Sequence, residues 1–292
     1  MFEHKKQFSF TLWDVGHGIS IWIRTPNGRN HWIDLGRTSK FSPAEFVARN
    51  FRTCDADFLI ISYPDKNPLG DLPSFRTYFR NPEYLCRNET TSENGVLRKY
   101  RLKYRREYAD LRKRFAFPCS DGKDPRCPSN NGGIRYRMHG LDHGTRASDV
   151  VMLGSPVIEK RNTSVVVMLL YAGVLFVCPG DIEPLGWREL WHRHSASYEH
   201  LIARSHARFL VAPRRGHKSV YSEDMMQAIN PHAVFISDIW RDSKIHPSYR
   251  SDPIGTLYRG SGYRRYFSTR RTGHIHVLVL PSGEHSIHQY NS

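Results

Sequence analysis

Two loops in this chain carry residue types that bear on hydrolytic chemistry. The first, Ser62-Tyr63-Pro64-Asp65-Lys66-Asn67-Pro68-Leu69-Gly70-Asp71-Leu72, follows the apolar run Asp57-Phe58-Leu59-Ile60-Ile61. A loop that leaves a strand with the pattern H-x-[HD]-x-D-H holds one or two zinc-class ions through imidazole nitrogens and a carboxylate. Here the same positions read Tyr63, Asp65, Asn67 and Pro68. An amide is a feeble zinc ligand and proline has no side-chain donor atom. The second loop, Ala212-Pro213-Arg214-Arg215-Gly216-His217-Lys218-Ser219, leaves the short apolar run Phe209-Leu210-Val211. Its two guanidiniums are fixed cations and repel metal ions.

The elements that must position these loops are legible from periodicity. Residues Gln7 to Asp14 and Ile19 to Arg24 alternate apolar and polar side chains, as half-buried strands do. Asn27-Gly28 marks a hairpin turn, with His31 to Asp34 as the returning strand. Ser42-Pro43-Ala44-Glu45 predicts a capped helix from about Pro43 to Phe51. A buried strand at Asp57–Ile61 and a helix over Leu72–Arg80 follow. Ser164–Leu170 and Val174–Cys178 form a second hairpin, and Glu183–Trp191 is helical. Phe209–Val211 and Ala233–Ser237 are buried strands flanking a helix capped by Ser222. The last strands fall at Tyr263–Ser268 and His274–Leu280, before a short hairpin arm. The order implies an α/β (α+β) protein of two mixed sheets packed together with helices outside, an αββα sandwich forming one domain over 1–292. Residues 81–149 are polar and basic, and read as an insertion or lid outside the core.

Five blocks in this order resemble the metallo-β-lactamase fold, and within it the ComEC-like hydrolase branch. They are Trp13-Asp14-Val15-Gly16-His17-Gly18, Ile33-Asp34-Leu35-Gly36, Ile61 to Pro68, Cys178-Pro179-Gly180-Asp181-Ile182-Glu183, and Pro213 to Ser219. The resemblance implies a di-metal phosphodiesterase or nuclease, with the aspartate of the fourth block bridging two metals. Against that pattern Tyr63 stands for a histidine, Asn67 for an aspartate, Pro68 for a histidine, and Arg214 and Arg215 for two histidines; Asp65 and Asp181 remain. An arginine near two carboxylates can take over the charge role of the metals, so Arg214 or Arg215 is expected to pair with Asp65 or Asp181. A residual site from Asp65, Asp181 and His217 would hold Zn or Mn weakly; otherwise no cofactor is expected. His17 and His246 are further histidines near these loops, with a structural role as the simpler reading. Asp14 and Asp34 read as turn carboxylates bonding backbone amides, and Asp71 as a helix cap.

Net charge is +15, from 43 Lys and Arg against 28 Asp and Glu, which draws polyanions to the surface. The densest segment holds Arg98, Lys99, Arg101, Lys103, Arg105, Arg106, Arg112, Lys113 and Arg114 against Glu107 and Asp110, with Tyr100, Tyr104 and Tyr108 on one helical stripe. Two readings compete: a helix that docks its tyrosines on the body, or one that tracks phosphates and stacks bases. Five cysteines without paired metal spacing read as reduced thiols, and no apolar run is long enough to span a bilayer. The expectation is a cytoplasmic, catalytically degenerate protein that binds nucleic acid, DNA first, or a partner protein, in a DNA-processing or defence system. Self-association beside an active paralogue is a further option. The competing expectation is a metal-dependent nuclease or phosphodiesterase with an unorthodox site.

Overall fold

The alternation along Phe8–Leu12 (β1) puts Phe8, Phe10 and Leu12 on one face, and all three are fully buried. The computed structural model of the chain describes residues 6–65, 67–80, 82–90, 102–114, 122–144, 160–237, 244–258, 260 and 262–290. From β1 the chain turns into Ser20–Arg24 (β2), then through the Asn27-Gly28 turn into Asn30–Leu35 (β3). Pro43–Phe51 (α1) follows, capped as its sequence predicts: the Ser42 hydroxyl accepts from the Glu45 amide at 3.1 Å and donates to Asp71 Oδ2 at 2.8 Å. Ser42→Ala removes both bonds, and a loss of about 1 kcal/mol in a urea melt is expected. Next come Phe58–Ile61 (β4), Leu72–Tyr78 (α2), Tyr84–Arg87 (β5), Leu102–Arg114 (α3), Pro128–Asn131 (α4) and Arg135–His139 (β6).

The second half opens with Val166–Tyr171 (β7) and Val174–Cys178 (β8). Pro184–Ala203 (α5), Ala207–Val211 (β9), Glu223–Ile229 (α6) and Ala233–Ile236 (β10) follow. The chain closes with Ser248–Ser251 (α7), Thr256–Tyr258 (β11), Gly262–Arg264 (β12), Tyr266–Ser268 (β13), Thr269–Thr272 (α8), His274–Val279 (β14) and His285–Tyr290 (β15). Two large sheets result: a seven-stranded one in the order β15-β14-β1-β2-β3-β4-β5, and a six-stranded one in the order β13-β10-β9-β8-β7-β6. Both are mixed. Strands β3, β4 and β5 run parallel, as do β8, β9, β10 and β13, and the remaining pairs of the large sheets are antiparallel. The chain is a mixed α/β protein.

Three buried apolar clusters explain the strand patterns. The first joins the two sheets, with Phe8, Phe10, Ile21 and Ile60 from one meeting Leu169, Phe176, Phe209 and Phe235 from the other. Val166, Met168 and Leu170 point the opposite way, into a second cluster with Trp187, Leu190 and Tyr198 of α5 and Met225 of α6. Burial of both faces is why β7 reads as an unbroken apolar run. A third cluster sets Trp22, Trp32 and Leu59 against Val47 of α1, Phe75 of α2, and Tyr108 and Leu111 of α3.

Three expectations change. The span 81–149 supplies an edge strand to each sheet, β5 and β6, with Leu85 and Tyr136 buried. Its strands escaped notice because the edge position of β6 lets Arg135, Arg137 and His139 alternate with Tyr136 and Met138. Helix α5 runs twelve residues past Trp191, to Ala203; the polar stretch His192-Arg193-His194-Ser195 hides the return of buried Tyr198 and Leu201. The short terminal arm is a full edge strand, β15, pairing with β14 over six residues. Among the described residues no helix is long and apolar enough to cross a membrane. The four described cysteines, Cys54, Cys86, Cys127 and Cys178, are all unbridged.

Candidate functional site

The loops singled out by residue type converge at one end of the paired sheets. Asp34 ends β3, Ser62 follows β4, Asp181 follows β8, and Arg214 and Arg215 follow β9. Ligand sites in α/β sheets form at such carboxyl ends of parallel strands. Asp34, Asp65, Asn67, Pro68, Asp181, Arg214 and Arg215 line a small cavity of about 110 Å³, together with His17, Ser62 and Arg161.

Close backbone approach holds the loops there. A Cβ on Gly18 would lie 2.9 Å from the Gly36 Cα and 3.0 Å from the Asn67 carbonyl. The Leu35 amide donates to the Pro68 carbonyl at 2.6 Å, and the Asp71 amide to the Leu35 carbonyl at 2.6 Å. Proline at 68 therefore serves through its carbonyl oxygen. The Asp71 side chain caps α1 rather than α2, accepting from the Ala44 amide at 2.9 Å and from Ser42. Its pKa rises to about 6 because burial outweighs those bonds and the Arg37 charge 3.5 Å away.

Asp34 bonds the loop after β4, as expected of a turn carboxylate. It has a φ of 57° and is almost fully buried. It accepts from the Ser62 amide at 2.8 Å and from the Ser62 hydroxyl at 2.5 Å. Burial pushes its pKa up to about 8, partly offset by the Ser62 bonds and reinforced by Asp181, so the carboxyl is largely protonated at neutral pH. Asp14 is likewise raised by burial, against bonds from the Gly16 backbone and Thr269. The Asp181 amide donates to the Ser164 hydroxyl at 3.2 Å. The Asp181 carboxyl is raised by burial; Arg215 and then Arg214 oppose this, Asp65 adds to it, and Arg161 opposes it. Tyr63 is buried, and its phenol is pushed up to about 12 by burial, then by Asp65 and Asp181.

The arginine loop has an unusual backbone. Arg214 at φ 43°, Arg215 at 62° and Gly216 at 77° are three consecutive left-handed residues. Non-glycine residues hold that region only where surrounding structure enforces it, and such residues cluster at functional sites. The Arg214 amide donates to the Gly180 carbonyl at 3.1 Å and its Nη1 to the Ser219 hydroxyl at 3.3 Å. Arg215 Nη1 donates to His17 Nδ1 at 2.6 Å. The imidazole can accept because burial, then Arg215 and Lys244, lower its pKa and keep it neutral.

Of the three residues considered for a residual ion, Asp65 and Asp181 line the cavity and His217 does not. His217 Nδ1 meets the Ser219 hydroxyl at 2.8 Å and its amide at 3.2 Å. Three guanidiniums beside three aspartates and one imidazole do not match the nitrogen-rich tetrahedral set of zinc-class sites. Among the described residues no group of three or more His, Cys, Asp or Glu side chains is arranged to hold a metal. His246 stacks on Tyr221 with ring centroids 3.8 Å apart, away from the cavity lining.

Sequence reasoning missed Arg161. Its signal was the polar run Asn162-Thr163-Ser164, all buried, directly before β7. Asn162 Oδ1 accepts from the Glu183 and Gly186 amides, both at 3.1 Å, fixing the Asp181 loop beside Arg161. In the basic segment, Arg98, Lys99 and Arg101 lie outside the described residues. Lys103, Arg105, Lys113 and Arg114 lie on helical backbone, but their side chains are outside the description. Arg106 is exposed and Arg112 half-buried. Tyr108 is fully buried against the body, so it cannot stack a base; Tyr100 and the Tyr104 side chain lie outside the described residues. No protein-family model matches the sequence, and no curated protein is significantly similar to it.

Proposed function

We propose that this chain is a metallo-β-lactamase-like protein of the ComEC-like branch, a four-layer αββα sandwich in which arginines have taken the place of metal ions. It acts as a non-catalytic, nucleic-acid-binding or scaffold subunit, with DNA as the first candidate, in a cytoplasmic DNA-processing or defence assembly. The observation that carries this reading is the composition of the cavity: Asp65, Asn67, Pro68, Asp181, Arg214 and Arg215 meet in one place, with Tyr63 and His217 outside its lining, and they bring cations where hydrolysis needs metal ligands. A metal-activated hydroxide requires vacant coordination sites on a cation held by neutral or anionic donors. Fixed guanidiniums neutralise carboxylates and bind phosphates but activate no water. The three clusters support the layer order, because helices cover the outer faces of both sheets around a shared centre.

The excess of 15 positive charges makes polyanions the favoured partners. The test is binding of the full chain to labelled duplex and single-stranded DNA across a salt series. Log affinity is expected to fall linearly with log salt, with a slope of roughly −0.9 per phosphate neutralised on duplex. Replacing Lys103, Arg105 and Arg106 together with alanine flattens that slope by about two to three. An absence of binding, or an unchanged slope in the triple variant, overturns the nucleic-acid assignment. Metal-dependent cleavage of the same DNA would favour the phosphodiesterase reading instead.

A further inference from the structure

Strands β11 and β12 form a two-stranded antiparallel ribbon outside both large sheets. The ribbon is anchored at its base: the Ile254 amide donates to the Pro231 carbonyl at 3.0 Å, and the Gly255 amide to the His232 carbonyl at 2.9 Å. On its inner face Thr256 is buried, and Tyr258 meets the buried ring of Phe267 edge to face at 5.3 Å. Alternation turns Leu257 and its register partner Tyr263 to the opposite face. They are 58% and 79% exposed. Ile254, Leu257 and Tyr263 are three of the six exposed large apolar side chains among the described residues, so open apolar surface is concentrated on this short segment.

The charge of the same region has one sign. Between Asp252 and Glu284 the sequence holds Arg259, Arg264, Arg265, Arg270 and Arg271, with no Lys, Asp or Glu. Arg259 lies outside the described residues, and the other four are exposed. The Arg264 guanidinium sits 4.3 Å from the centre of the Tyr258 ring, and its Nη1 donates to Gln289 Oε1 at 3.2 Å. Arg265 Nη1 donates to the Ser251 carbonyl at 2.7 Å. Both acceptors are neutral, so neither bond cancels an arginine charge. A guanidinium held on an aromatic ring is already ordered, and it presents its remaining N–H donors to phosphate oxygens in a fixed plane.

Leu257 and Tyr263 also line a groove of about 650 Å³, together with His285 and His288 of β15. It shares no lining residue with the arginine cavity. Glu284 lines this groove and no described arginine does. The anionic part of a ligand therefore belongs outside it, along Arg264 and Arg265, and a flat uncharged part inside it, against Tyr263.

We propose that the ribbon is a contact surface for single-stranded nucleic acid, with a base on the open face of Tyr263 and phosphates on Arg264 and Arg265. The assignment rests on the nucleic-acid reading above and adds to it a surface built from elements other than α3. A single strand is the polyanion whose charges come with open π-faces. A duplex hides its base faces in the stack, and neither a run of acidic side chains nor an anionic lipid headgroup carries one. Arginine for the phosphates and an exposed tyrosine ring for the base match the two parts of that ligand.

The test follows binding of labelled dT and dA oligonucleotides of about twelve residues to the full chain by fluorescence anisotropy, beside the matching duplex, a polyglutamate peptide and phosphatidylserine vesicles. The single strands are expected to bind tightest. Tyr263→Ala is expected to weaken them about ten-fold, and Tyr263→Phe, which keeps the ring, by less than about two-fold. Arg265→Ala is expected to lower the salt slope by about 0.7, the increment for one phosphate of a single strand. Both side chains are exposed, so the variants keep the fold. Binding that neither Tyr263→Ala nor Arg265→Ala alters, while the alanine variant of Lys103, Arg105 and Arg106 weakens it, overturns the ribbon contact and leaves the nucleic-acid reading standing. Duplex, polyglutamate or vesicles bound as tightly as the single strands, with the same loss in Tyr263→Ala, overturn the choice of a single strand. No binding of any oligonucleotide or duplex overturns both.

Discussion

Asp34→Ala is expected to cost about 3 kcal/mol of folding stability, because it strips acceptors from the buried Ser62 amide and hydroxyl together. A left-handed alanine at φ 57° adds strain that aspartate and asparagine tolerate better. Asp34→Asn behaves differently. Its amide keeps one carbonyl oxygen to accept from Ser62 and does not titrate. The pH dependence separates the two cases. Asp34 titrates near 3.8 when unfolded and near 8 when folded, so between these values the folded chain holds a proton that the unfolded chain has released. Its contribution is present in full below the lower value and is lost as pH rises through the upper one. Stability should therefore decline from about pH 4 to about pH 8, and Asp34→Asn should flatten that decline. Urea melts at a series of pH values measure it. An unchanged slope in the asparagine variant would show that Asp34 is ionised in the folded chain.

Gly36→Ala is the second large effect, also about 3 kcal/mol. An added Cβ would sit 2.7 Å from the Ile19 carbonyl oxygen and 3.0 Å from the Ile19 nitrogen. Neither can move easily, because the Gly36 amide donates to that same carbonyl at 2.9 Å. The clash falls where the β1–β2 turn, the end of β3 and the Asp65–Pro68 loop meet, so the cavity should deform with the fold. Gly262→Ala is the control: among the described residues nothing lies within 4 Å of its would-be Cβ, and its φ is outside the left-handed region. It should change stability by less than about 0.5 kcal/mol. Equal melting temperatures for the two variants would refute the packing argument.

Local signals in the chain reached far into this structure because they rest on near neighbours. Ser42 and Ser222 announce their helices through side chains that bond amides three residues on, and both caps form. The alternation of β1 and the apolar run of β7 follow from one or two buried faces. The cavity was legible for a related reason: each of its loops directly follows a recognisable strand, and parallel neighbours bring those ends together. Features built by distant pairing were not legible. Strands β5 and β6 are held by partners elsewhere in the chain; β5 is only four residues long, and β6 carries Arg135, Arg137 and His139 among its five. Arg161 enters the cavity from the loop before β7, where Asn162 bonds the start of α5 and Arg161 pairs with Glu183 at 3.3 Å. The Trp13–His274 ring contact depends on β1 lying beside β14.

Asp65, Asp181, Arg214 and Arg215, the residues expected to pair, line the same cavity. Arg215 and Arg214 both act on Asp181, while Arg215 also holds His17 and Arg214 holds Ser219. The Arg215–His17 contact ties the β1–β2 turn to the loop after β9. In the cavity the charges of Arg215, Arg214 and Arg161 oppose the rise that burial gives the Asp181 pKa.

The most direct test of that account is elemental analysis of the purified chain after incubation with Zn²⁺ and with Mn²⁺ followed by gel filtration, run beside a phosphodiesterase assay on the same fractions. The account predicts substoichiometric metal and no metal-dependent turnover. One or two ions retained per chain, released on replacing Asp65 or Asp181 with alanine and accompanied by turnover, would contradict it.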